Sequence, residues 1–392
     1  MRTDYDLIIL GGGCAGLSLA MRLAALGPRC PRTLIIEARP AYGNDRTWCF
    51  WGEPAAPLRH LVEQRWHALT IHTDGGQVRV DCSAMPYQRI SAGAFYAEAL
   101  TLIGRTAAIT LRLGEALASN PRKAGGSWHM ETRQGPVRAA RVVDTRATAT
   151  PRSGAATLWQ SFYGHEIACS EDLFDPACVA LMDFRHAAPQ RIEFTYVLPL
   201  SARHALVEVT QFGPQPLGPS QLRAALERAI AGRTGGAACR VLRSEHGILP
   251  MGLHEQGAAA DPTYVHAGIM QGAARPATGY AFQRIQRWAA RCAERLGEGG
   301  LPLGHALDAA LLRALDALFL SLLRARPDIA PALFLRLFEA VDSACLTRFL
   351  SDQGSLADCA RIVAALPAGP FLRQLPVALV ERAGRRRAAS AS

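Results

Sequence analysis

The chain has 392 residues, 49% hydrophobic and 19% charged, which excludes disorder and fibrous repeats and leaves enough material for a large core in two or three domains. Its net charge is +10, carried almost wholly by arginine, with Lys123 as the single lysine. Such a balance suits an anionic lipid surface or a solvated arginine-rich exterior; no zinc-finger, RNA-recognition or helix-turn-helix pattern is present, so nucleic acid is not an expected partner.

Asp6-Leu7-Ile8-Ile9-Leu10 is a short apolar run, the pattern of a parallel strand buried on both faces. It is too short for a signal peptide, and no stretch of the chain is apolar for long enough to span a bilayer. Gly11-Gly12-Gly13-Cys14-Ala15-Gly16 follows at once and satisfies G-x-G-x-x-G with Gly11, Gly13 and Gly16. A helix is predicted over Leu17–Leu26, stopped by Gly27-Pro28, and a second strand over Thr33–Ile36 ends at Glu37. The order is that of a dinucleotide fingerprint. The first glycine makes the turn, the second admits a pyrophosphate, and the third lets the helix pack on the strand. Phosphates then meet free N–H groups at the helix N-terminus, and Glu37 can accept hydrogen bonds from a ribose. The early start of the unit, and the acid-then-basic Glu37-Ala38-Arg39-Pro40, resemble flavoproteins of the glutathione-reductase type and imply FAD rather than NAD.

A helix is expected over Ile90–Leu102 and strands over Ile109–Leu113, Trp128–Thr132 and Val137–Asp144. Asp144-Thr145-Arg146 ends the last strand in a polar turn, either a second approach to the FAD or an ordinary strand end. From Trp159 to Phe212 the chain reads as an antiparallel sheet, with a hairpin pairing Glu193–Leu200 with Ala205–Phe212. Leu206, Glu208, Thr210 and Phe212 share one face by the two-residue period. Among apolar neighbours, Glu208 would keep its proton and suit a general acid; a solvated or salt-bridged strand glutamate is the other reading. Pro219–Ala231 reads as a helix and Cys239–Leu249 as a strand. Tyr264–Gly268 then returns as strand and glycine, with a helix running from about Phe282 to Leu296. Flavin hydroxylases carry an acid after that glycine; here Ile269 follows Gly268.

Beyond Leu301 the chain reads as apolar helices over Ala306–Arg324 and Pro331–Leu350, ending in Arg385-Arg386-Arg387, with a disordered tail expected over 384–392. They suit either a lipid interface or a core packed on the flavin domain. The ten cysteines, at 14, 30, 49, 82, 169, 178, 239, 292, 345 and 359, include no C-x-x-C pair and no histidine cluster. A metal site is not expected, and all ten are expected as reduced thiols.

Taken together these segments resemble the flavin-dependent lycopene cyclases, the bacterial β-cyclase branch above all. The residues that carry the likeness are Gly11–Gly16 with Glu37, Asp45–Trp51, Val143–Arg146, Met182–Arg185, Tyr196–Leu200, Val207–Thr210, Gly247–Met251, Pro276–Tyr280 and Arg348–Asp352. The resemblance implies an α/β fold, α+β overall. Its parts are a Rossmann-type FAD-binding domain (1–155, returning at 241–300), an inserted antiparallel-sheet substrate domain (156–240) and a C-terminal helical region (301–383). It implies FAD held by Gly11, Gly12, Gly13, Cys14, Ala15, Gly16, Glu37, Arg46, Asp144, Gly268, Pro276 and Gly279. It also places Glu208 in the family's acidic strand motif, with Val209 where many members have a second acid, which puts a two-carboxylate scheme in doubt.

The implied activity is the proton-initiated, redox-neutral closure of the linear ends of lycopene and related linear carotenoids into β rings. FAD is active there in its reduced form, with NADPH or NADH as the electron source. Either Glu208 or the flavin delivers the proton. A mono-oxygenase or isoprenoid reductase on the same fold, or a carotenoid carrier, are the alternatives. The expected location is the cytoplasm, with peripheral contact on the inner face of the cell membrane.

Overall fold

The computed structural model describes residues 3–147, 154–185, 190–253 and 261–390. The chain begins with β1 (Tyr5–Leu10), α1 (Cys14–Ala24) and β2 (Thr33–Ile36). Next come β3 (Thr47–Trp51), β4 (Gln64–Trp66), β5 (Ala68–Thr73), β6 (Gly76–Asp81), β7 (Tyr87–Ser91), α2 (Ala92–Gly104) and β8 (Ile109–Arg112). They are followed by β9 (Arg122–Ala124), β10 (Ser127–Thr132), β11 (Gly135–Asp144), β12 (Ala156–Cys169), β13 (Cys178–Asp183), β14 (Ile192–Pro199) and β15 (His204–Gly213). Then come α3 (Pro219–Thr234), β16 (Cys239–Leu253), β17 (Tyr264–His266) and α4 (Phe282–Gly297). The chain closes with α5 (Ala310–Ala325), α6 (Ala330–Ala340), α7 (Ser343–Leu350), α8 (Leu356–Ala365) and α9 (Ala368–Ser390).

The glycine-rich turn belongs to a mixed sheet in which β8, β2, β1, β11 and β17 run parallel. β10 and β9 add an antiparallel edge. Strand residues alternate between two cores, as the two-residue period requires. Leu7 and Ile9 pack against α1, α2 and α4, whereas Ile8 and Leu10 face Met130 and Val137. Both faces are covered, which is why the sequence runs apolar without a break.

The second sheet has the order β16-β12-β15-β14-β13-β5-β6 and is antiparallel except between β13 and β5. It is not confined to 156–240. It takes β5 and β6 from the first part of the chain and β16 as far as Leu253. One face packs on α3 through Leu222 and Leu226. The other contributes Leu206, Phe194 and Phe212 to a core shared with α5, α6 and α7. The C-terminal helices therefore set their apolar faces on this sheet, and ion pairs from Arg275 and Arg284 tie them to the nucleotide-binding domain as well. β3, β7 and β4 form a small third sheet that the sequence reading had not resolved into strands.

Three expectations are corrected. Cys169 and Cys239 stand directly opposite each other on β12 and β16, Cα atoms 4.0 Å apart, and are joined by a disulfide, so the ten cysteines are not all free thiols. The helix expected over Pro331–Leu350 is two helices, because the Asp342 carboxylate accepts the Cys345 N–H (2.9 Å) and caps the start of α7. The disordered tail expected from residue 384 is helical as far as Ser390, the end of α9.

Candidate active site

The turn after β1 works because each glycine meets a different constraint. Gly11 adopts a φ of +93°, and a Cβ on Gly16 would collide with the Gly11 carbonyl. Gly13 caps α1 with no side-chain partner and has no neighbour on its open side. The first-turn N–H groups are thus free to meet an anion. Glu37, at the end of β2, is buried. Its carboxylate accepts the Gly12 N–H (2.6 Å) and the Arg39 N–H and Nε–H (2.8 and 3.0 Å). Burial opposes its ionisation, but these donors outweigh it and hold the carboxyl below its ordinary range.

From the start of α1 a single cavity of about 930 Å³ runs to the C-terminal helices. Its first half is lined by Gly13, Cys14, Ala15, Arg39, Arg46, Thr145, Arg146, Gly268 and Ala277–Tyr280. Its second half is lined by Leu181, Phe194, Phe212, Leu318, Phe319, Phe334, Phe338 and Phe371, among other apolar side chains. The sites named from the sequence divide accordingly. Gly13, Cys14, Ala15, Arg46, Gly268, Gly279 and Glu208 line the cavity. Gly11, Gly12, Gly16, Glu37, Asp144 and Pro276 stand behind it, shaping the turns that do. Asp144 is fully buried and clamps Arg146 (2.9 and 2.7 Å) and the Tyr264 hydroxyl (2.7 Å), so Arg146 rather than Asp144 faces the cavity.

Glu208 sits where the polar half meets the apolar half. It is 7% exposed, and its Oε1 accepts a hydrogen bond from the Thr210 hydroxyl (3.0 Å). Burial, then the nearby charge of Glu245, push its carboxyl well above the usual range; Thr210 and Arg243 pull the other way and lose. The balance favours the protonated carboxyl over the carboxylate. Two features at this junction were missed in the sequence. The hydroxyls of Tyr196 and Tyr280 both donate to that of Tyr87 (3.0 and 3.4 Å), three cavity tyrosines from three separate segments. Glu245, on β16, also lines the cavity; its alternation with Arg243 and Gly247 marks a shared strand face, but nothing local points to Glu208.

The cradle fits a dinucleotide. An uncapped helix start faces open space, Arg39, Arg46 and Arg146 lie along the same half of the cavity, and Gly268 and Gly279 (φ +95° and +73°) bring backbone to its wall. The fold and this cradle together define a Rossmann-type flavoprotein architecture with a hydrocarbon-lined chamber beside the nucleotide crevice. A geranylgeranyl bacteriochlorophyll reductase-like protein of Thermoplasma acidophilum matches it with a TM-score of 0.60 at 14% identity, over 95% of this chain and 99% of that one. The flavin-dependent monooxygenase PieE, solved with FAD and substrate, matches with a TM-score of 0.55 at 14% identity, over 99% and 72% of the two chains. The family model described as lycopene cyclase protein matches residues 6–375, and the chain belongs to that family. A lycopene beta-cyclase of Pseudescherichia vulneris is 29% identical over 307 residues, 76% of each chain.

Proposed function

We propose that the protein is a lycopene β-cyclase that closes the linear end groups of lycopene, and of related linear carotenoids, without net oxidation. The observation that carries this reading is Glu208: a buried carboxyl, pushed toward its protonated form, at the mouth of the apolar half of the chamber. A hydrocarbon offers no heteroatom to bind, so shape and apolar contact must hold it, and the aromatic and leucine walls supply both.

Glu208 gives its proton to the terminal double bond, leaving a tertiary cation. The inner double bond attacks that cation and closes a six-membered ring. Loss of a ring proton gives the β end group, so one proton enters, one leaves, and no electrons are exchanged. Tyr87, Tyr196 and Tyr280 line the same chamber and would offer aromatic rings to the developing charge, and the apolar walls would exclude water that traps it. FAD would be held by the N–H groups of Gly13–Ala15, by Arg39, Arg46 and Arg146, and by Gly268 and Ala277–Tyr280. In its reduced form it would supply negative charge beside the hydrocarbon in a low-dielectric site, and NADPH or NADH is the proposed source of its electrons.

The chamber reaches Val363 on α8, Leu366 just after it, and Phe371, Leu372 and Leu375 on α9. Leu356, Val363, Leu372 and Val380 on these helices are exposed. Among the described residues no single helix is long and apolar enough to cross a membrane, although α8 with Ala368–Val380 forms an apolar pair bent by 111°. The proposal is that this pair lies on the lipid surface and admits a substrate dissolved there, with the protein on the cytoplasmic side of the cell membrane. The test is purified protein with FAD, a reductant and lycopene in liposomes. Cyclic carotene formed without stoichiometric consumption of NADPH supports the reading; unchanged lycopene, or oxygenated or reduced product, refutes it.

A further inference from the structure

Glu208 does not face the chamber alone. β12 lies between β15 and β16, and its Gly164 is the register partner of both Glu208 and Glu245. The three residues form one row across three strands and share a face of the sheet. Two strand spacings place the two glutamate backbones about 9.6 Å apart. Any side chain at 164 would stand between them. Even a Cβ there would come within 3.0 Å of the Glu208 Cβ and 3.2 Å of the Val207 carbonyl oxygen. Glycine leaves the gap open, and both carboxyls line the cavity.

Their partners differ. Glu245 is 3% exposed, and its Oε2 accepts the Thr47 hydroxyl (2.6 Å) and an N–H of Arg243. Arg243 also donates through Nε to Glu166 Oε2 (2.7 Å), and Glu166 in turn meets Arg89 (3.4 Å) and His204 Nε2 (2.8 Å). Glu245 is thus anchored in a buried ionic network, whereas Glu208 is hydrogen-bonded to a neutral hydroxyl. The inference drawn from this rests on the cyclase reading of the chamber. We propose that Glu245 is a positioning residue for Glu208: a carboxyl fixed by Thr47 and Arg243 across the gap at Gly164, which sets the electrostatic surroundings of the neighbouring carboxyl where it faces a hydrocarbon.

Around Glu208 the charges that act are those of Glu245 and Arg243, both on β16. Thr210 on its own strand supplies a hydrogen bond, and Tyr196 of β14 and Cys49 of β3 are kept neutral by burial.

The experiment is an infrared titration of the flavin-loaded protein, with Glu208→Gln used to identify the Glu208 carboxyl band, run beside the pH profile of kcat/KM. In Glu245→Gln the band should disappear at a pH lower by about one to two units, as expected for removing a charge at this range in a partly screened interior. The alkaline limb of kcat/KM should move with it, and KM should change little. Glu245→Asp keeps the charge but withdraws it by one methylene, so its shift should be smaller and in the same direction. An unmoved band in whichever of the two variants folds overturns the proposal, as does a loss of activity with an unmoved pH profile. The band is read without turnover: a shifted band in a protein that forms no cyclic product refutes the cyclase reading and upholds the pairing.

Discussion

A glutamate in water at neutral pH has lost its proton; for Glu208 burial removes the solvent that would stabilise the anion and Glu245 adds repulsion, so the carboxyl holds its proton to a pH well above the ordinary glutamate range. The sign of the pH dependence follows. With the folded-state value raised above the unfolded one, the contribution to stability is full below the ordinary glutamate range and is lost as pH rises through the raised value. Turnover should fall over the same alkaline window, because the proposed reaction uses the acid form, and a kcat/KM profile without a descending alkaline limb would assign the proton elsewhere. Glu208→Gln keeps the shape and removes the proton. It should lower kcat at least about a hundredfold while the purified protein retains its flavin absorbance, and should flatten the alkaline fall in stability. Wild-type turnover in this variant would take Glu208 out of the chemistry.

At the level of elements, the β1–α1–β2 unit was legible because its signals are local: an apolar run, three spaced glycines and a stop at Gly27-Pro28. The hairpin of β14 and β15 was legible for the same reason, and with it the face that carries Glu208. What the sequence hid is what register decides. Glu245 meets Glu208 only through Gly164, and Cys169 meets Cys239 only because β12 and β16 align, each across a long separation in sequence. β3, β4 and β7 went unread because the strands are short and their residues do not alternate cleanly between apolar and polar; β5 and β6 do alternate, through Leu69 and Ile71 and through Val78 and Val80, but they lie among short segments with no local sign of the sheet they join. Arg275 is a further case. In sequence it is one arginine among many, yet it is 2% exposed, pairs with Asp316 of α5 (3.3 Å) and donates to the Phe349 carbonyl of α7. It ties the return segment of the nucleotide domain to the helices that roof the chamber. Arg275→Met leaves Asp316 buried without its cation, and thermal or denaturant unfolding at neutral pH should show a loss of about 3 kcal/mol. A change within a few tenths of wild type would mean the contact is dispensable.

For the molecule as a whole, cofactor cradle and hydrocarbon chamber are one continuous void, polar at the α1 end and apolar toward α8 and α9. Its apolar end emerges among side chains that are exposed, Leu372 at 67% and Val363 at 50%. An aspartate at each of these two positions should weaken sedimentation with anionic liposomes and slow turnover of vesicle-borne lycopene several-fold. The same variant should treat detergent-dispersed lycopene like wild type; an equal loss in both assays would point to damage inside the chamber instead.

The way the second sheet is threaded also limits how the protein can be rebuilt. β13 finds its outer neighbour in β5, from a segment that precedes α2, so the strands from β12 to β16 are incomplete by themselves. A chimera that exchanged only residues 156–253 with a relative would juxtapose a foreign β13 and a resident β5, and an excised fragment would bare an unpaired strand margin prone to self-association. Transplanting substrate preference therefore means moving two stretches of chain together, 68–81 along with the later one.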